Sequence, residues 1–210
     1  MILLLDELRQ EFEAIDLNTL YPAYLDRFKS VTEWKFSSGD YFHHEPFFEE
    51  RGGFSSPTLV RKKYKSVDEA RWLGKYCTGF INDRHVITVA PGQRAVKALQ
   101  ATLYDESSSI LGVRNVSFKW IGKPEEMHSQ VSGIDRVISR PDNTKFEIGV
   151  GAGGAFAVNL YRYSNDGRPA SVQSFSKGWS SEDYLEYRYT PDGQLDEITA
   201  GGLIPVWKRK

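Results

Sequence analysis

The sequence predicts an α+β protein in which N-terminal helices and a β-α-β segment precede a mainly antiparallel C-terminal β-meander. Three observations predict it. Leu160–Val172 and Glu186–Ile198 are nearly the same segment 26 residues apart: Tyr161, Arg162, Tyr163, Asp166 and Gly167 recur as Tyr187, Arg188, Tyr189, Asp192 and Gly193. A tyrosine-rich run into Asp-Gly and out into a β-branched run is a strong hairpin signal. Aromatics make up 13% of the chain, which favours broad packed sheets over a helical bundle. Leu5, Leu8, Phe12 and Ile15 fall at helical spacing among charges.

The elements follow in order. An amphipathic helix covers about residues 3–15, and a second follows Asn18 with Leu20, Tyr24 and Phe28 inward and Pro22 near its first turn. Periodicity is lost from Ser37 to Pro57, which reads as loop. Residues 58–64 alternate as a strand, and Ser66-Val-Asp-Glu69 has capping-box form, opening a short helix. Val86–Val89 is β-branched. Gln93–Asp105 is rich in helix formers, with Val96, Leu99 and Leu103 on one stripe, and 110–120 reads as a strand, so 84–120 is expected to be β-α-β. Beyond a polar loop at 122–129 everything reads as hairpins. At 210 residues the chain is expected to form one domain, with a possible subdivision into 1–121 and 130–210.

The formal charge of −1 excludes an overall basic nucleic-acid binder but hides an asymmetry, for residues 1–50 carry a net −7 and residues 51–210 a net +6. Cys77 is alone, which points to a reducing compartment. Met1-Ile-Leu-Leu-Leu-Asp6 lacks the basic start of a signal peptide, and no apolar run reaches the ~18 residues of a membrane span, so a cytoplasmic protein with no membrane partner is expected.

Chemical motifs are sparse. Gly149-Val-Gly-Ala-Gly-Gly154 matches G-x-G-x-x-G, but alternating Ala155–Tyr163 follows it where a dinucleotide site needs a helix, so a glycine turn is expected and no cofactor. His43, His44 and Glu45, near Glu49 and Glu50, have ligand chemistry. Adjacent histidines on an extended chain point apart, however, so no metal is expected there. Cys77 lacks a nucleophile context, and His85 and His128 are isolated. Arg61, Lys62, Lys63 and Lys65 around Tyr64, with the tail Lys208–Lys210, could track a phosphate backbone.

The strongest recognition signal is the acidic, aromatic stretch: Trp34, Phe36, Asp40, Tyr41, Glu45, Phe47, Phe48, Glu49 and Glu50 have the composition of a partner-binding surface, with aromatic anchors and carboxylates that steer a basic protein. On this reading Glu49 and Glu50 act on encounter, while Phe47 and Phe48 hold the partner and contribute little to folding stability.

The segments from Tyr161 to Arg168 and from Tyr187 to Leu195 resemble the YD repeats of bacterial Rhs polymorphic toxins, with Ser164 and Thr190 where that family usually carries Asp. The resemblance covers residues 160–198 and implies stacked hairpins and no catalytic residue. Taken together, the leading expectation is a bacterial stoichiometric binder, an immunity or antitoxin-type protein that occludes a basic toxin or effector, and not an enzyme. The alternatives are an enzyme assembled from dispersed residues under the 41–50 loop, with His43, His44, Glu45 and His85 foremost, and a nucleic-acid module using Arg61–Lys65. The oligomeric state is left open.

Overall fold

A computed structural model describes residues 2–92, 98–109, 112–121, 130–176 and 183–209. Helices α1 (Ile2–Ala14) and α2 (Leu17–Ser30) lead into β1 (Glu33–Ser37), then a long loop containing the single turn α3 (Phe48–Arg51), then β2 (Leu59–Val60) and α4 (Val67–Trp72). The rest is strand: β3 (Tyr76–Ile81), β4 (Arg84–Val89), β5 (Ala98–Ser109), β6 (Gly112–Ile121), β7 (Gln130–Ser139), β8 (Thr144–Gly151), β9 (Ala155–Tyr163), β10 (Pro169–Ser176), β11 (Asp183–Tyr189), β12 (Leu195–Ala200) and β13 (Ile204–Lys208). Among the described residues these 13 strands form one antiparallel sheet in the order β13-β12-β11-β10-β9-β8-β7-β6-β5-β4-β3-β1-β2. Apart from the β1/β2 exchange it is a continuous meander, and the α+β class is as expected.

Local signals account for most boundaries. Asp16 caps α2 by accepting from the Asn18 amide, and Ser66 caps α4 by accepting from the Glu69 amide at 3.1 Å, while the Glu69 carboxylate reaches back to the Lys65 amide. Pro22 lies inside α2, beyond its first turn. The β-α-β expectation is corrected: Leu99 and Leu103 belong to β5, which pairs antiparallel with β4 and β6. Pairing on both sides overrides the helix-forming composition. Residues 93–97 and the loop 122–129, with His128, lie outside the described residues. Gly149–Gly154 is the end of β8 and a 3-10 turn, Ala152–Gly154, leading straight into β9.

Both Asp-Gly pairs occupy tight turns of this sheet, with Gly167 at φ +79 and Gly193 at φ +84. The Ser164 and Thr190 hydroxyls donate to Asp166 and Asp192, closing the turns. A Cβ at Gly193 would add left-handed strain and meet the Arg168 guanidinium, so Gly193→Ala should lower stability by about 1–2 kcal/mol in urea unfolding.

One face of the sheet is covered by the helices. Leu8 of α1 packs on Ile134, Ile148, Val150 and Val158, and Tyr24 of α2 belongs to the cluster of Cys77, Ile87, Val89, Ala101 and Leu103. Arg136 on this face bonds Glu11 of α1 at 2.7 Å. The opposite face carries Thr78, Thr88, Tyr104, Asp135, Glu147, Asn159 and Tyr161, and towards β13 it becomes apolar, with Val172, Tyr187, Leu195 and Ile198. The loop between β1 and β2 crosses this second face and reaches the far edge, where a Cβ on Gly53 would lie 3.8 Å from the Val206 carbonyl oxygen. Twelve flat strand spacings would separate β2 from β13 by about 58 Å. The six residues from Gly53 to Leu59 span at most about 20 Å. The sheet therefore curls around the loop, leaving the loop in its concave side and the helices on its convex side. Among the described residues no helix is long and apolar enough to cross a membrane.

Candidate functional site

The loop is held in the concave side by a buried ionic network. His44 Nε2 lies 2.8 Å from Glu147 Oε1 on β8 and 3.3 Å from Asp135 Oδ1 on β7. Burial by itself would keep this imidazole neutral, but the bond to Glu147 and the charge of Asp135 outweigh it and raise its pKa to about 9. Burial pushes the Glu147 carboxyl upward, against the pull of His44. Glu45 pairs with the Arg51 guanidinium; the Tyr161 hydroxyl accepts from Arg51 and donates to Glu45 Oε2 at 2.7 Å. Asn159 spans the two halves, donating to Glu45 at 3.3 Å and to Glu147 at 3.4 Å. Burial opposes ionisation of Glu45, yet Arg51 holds its pKa below the usual carboxylate value.

The two adjacent histidines do not point apart as expected. The chain turns at this point instead of extending, so the rings stack with centroids 4.5 Å apart, and His43 also stacks on Phe48 at 3.9 Å. Burial and the neighbouring His44 lower the His43 pKa to about 3. His85 contacts Thr88 Oγ1 at 2.8 Å and the Tyr104 ring at 3.8 Å, and burial lowers its pKa to about 4. Cys77 is buried on the helix face, its thiol pushed up to about 12 by burial.

The nine residues expected to bind a partner are divided between environments. Trp34 and Phe36 face the helices, Trp34 against Phe28 at 5.0 Å and Phe36 edge-on to Tyr64 at 4.9 Å. Glu50 is buried and Glu45 mostly shielded within the network above, so neither is a rim carboxylate in the folded chain. Phe47 adopts left-handed φ 54 and packs on Tyr187 and Tyr189, which makes it part of the core beneath the loop. Phe47→Ala is accordingly expected to lower stability as well as any affinity. Tyr41 and Phe48 are exposed, and half-buried Glu49 accepts from the Asp40 amide at 2.9 Å. These last residues line a hollow of about 340 Å³ together with Pro46 and Pro57. A separate basic groove of about 530 Å³ runs along Arg61–Lys65 beside Trp34 and Phe36.

Asp40 is mostly buried, its Oδ1 has no hydrogen-bond partner, and burial with the nearby Glu49 charge raises its pKa to about 7. A folded-state pKa above the unfolded value means that the fold is favoured at low pH and loses stability as pH rises from about 4 through 7. Asp40→Asn removes that loss. Urea unfolding should show the variant about 2–4 kcal/mol more stable than the parent at pH 8 and equal to it near pH 4.

Sequence reasoning missed Asp135, Glu147, Asn159, Tyr161 and Arg51. The first three are 12 residues apart, on neighbouring strands, each a lone polar residue between apolar ones: Ile134/Arg136 excepted on one side, then Phe146/Ile148 and Val158/Leu160. That recurrence is the signal that marks them. Compared with protein-family models, curated proteins and solved structures, the chain matches none, so its function has to be read from this geometry alone.

Proposed function

We propose that this chain is a stoichiometric protein-binding protein of the immunity or antitoxin type, neutralising a toxin or effector by occlusion. The observation that supports this reading is the outer surface of the anchored loop, where Tyr41 and Phe48 are 46% and 45% exposed beside Glu49. Exposed aromatic rings are the residue type that dominates binding energy, and a loop already fixed by ion pairs loses little further freedom on association. The carboxylate next to them suits a basic partner.

The experiment is co-expression with the product of the gene beside its own. The expected result is a 1:1 complex and suppression of that product's toxicity. Tyr41→Ala and Phe48→Ala should each raise the dissociation rate roughly tenfold or more, a cost on the order of 2 kcal/mol, while both variants still melt as folded protein, Phe48→Ala somewhat lower because its ring stacks on His43. No complex, or full affinity in both variants, would sink the reading.

An enzyme using the same loop is the second reading, favoured by one observation: His43 and His44, in stacking contact, have pKa values displaced in opposite directions, a pattern typical of acid and base sites.

A further inference from the structure

We propose that the concave side of the sheet binds one divalent transition-metal ion between His44, Asp135 and Glu147, clipping the loop to β7 and β8. The donor atoms are placed for it. His44 Nε2 stands 2.8 Å from one carboxylate oxygen and 3.3 Å from the other, and all three donors lie within 4.8 Å of one another. Ligand atoms around an ion with bonds of about 2.0–2.2 Å are separated by about 3.0–3.5 Å, so the cation fits where the shared proton now sits, with small side-chain adjustments.

Imidazole with carboxylate is the donor chemistry of zinc and its neighbours, not of calcium or magnesium. The surroundings are those of a ligand set that is held in place. Glu147 keeps its second oxygen on Asn159, and His44 is fixed by the His43 ring on one side and the Tyr104 ring at 6.3 Å. Two ligands come from paired strands and one from the loop, so the ion would couple pieces about 100 residues apart in sequence.

Glu45 and Arg51 balance each other, which leaves the two carboxyl groups of Asp135 and Glu147 beside His44 as the acidic partners a dication would meet. This inference does not depend on the protein-partner reading, since metal uptake and partner binding are read separately.

The test uses the full chain stripped with chelator and titrated with zinc. Calorimetry and elemental analysis should give one ion per chain, and bound zinc should raise the melting temperature. Asp135→Asn and Glu147→Gln, which preserve shape, and His44→Gln should each weaken zinc binding tenfold or more, while His85→Gln retains it. Should a variant fold poorly, the wild type still decides: zinc should shift the His44 Nε2 nitrogen resonance and leave that of His85 in place. No saturable uptake, uptake that survives all three ligand substitutions, or an unmoved His44 resonance would overturn the proposal.

Discussion

Arg51→Ala is expected to destabilise the protein by about 3–5 kcal/mol. Its guanidinium donates to both Glu45 and the Tyr161 hydroxyl and lies 5.5 Å from the Tyr161 ring centre, with little solvent on either partner. Removing it leaves the Glu45 carboxylate buried with only Tyr161 and Asn159 to meet it. The exposed pair Lys35 and Glu33, 3.6 Å apart, is the control, and Glu33→Ala should cost less than about 1 kcal/mol. Urea unfolding compares the two. Replacing Glu45 and Arg51 together by methionine should recover most of the loss, because the penalty comes from the stranded charge. A small effect for Arg51→Ala would mean that water reaches Glu45 and that the loop is not anchored here.

Tyr187 should split into two opposite results. Its ring is 6% exposed and packs with Phe47, Ile198 and Leu185, so Tyr187→Ala should cost about 3–5 kcal/mol. Its hydroxyl is buried without a hydrogen-bond partner, so Tyr187→Phe should be neutral or more stable by up to about 1 kcal/mol. Thermal unfolding of both variants separates ring from hydroxyl. Tyr187→Ala without effect would place this face of the repeat in solvent.

How much could be read from the chain follows from where each signal resides. Asp166-Gly167 and Asp192-Gly193 dictate turns within four residues, so the hairpins were legible. Ser66 and Glu69 likewise announce α4. Leu99 and Leu103 misled because a stripe of three apolar residues suits a helix or a strand equally, and only pairing with β4 and β6 decides. His43, His44 and Glu45 were visible as chemistry, but not as a site, since their partners lie on β7, β8 and β9 and nothing local indicates that those strands fold back over this loop. Phe47 and Glu50 looked like surface residues for the same reason, whereas the curl of the sheet makes the loop an interior element.

That curl also sets the order in which the molecule can be completed. The loop is made before the strands that hold it, so its contacts wait for distant chain: His44 to Glu147 spans 103 residues and Glu45 to Tyr161 spans 116. Such pairings carry a large loop-closure entropy and slow folding, so a nascent chain ending before β9 holds Glu45 and Arg51 without Asn159 and Tyr161 to complete their bonds. The last strands act as a latch. A chain lacking β9 to β13 would lose Asn159, Tyr161 and the packing under Phe47 and so leave the loop more open to proteases, while in the intact protein cleavage within residues 40–52 should wait for the sheet to open.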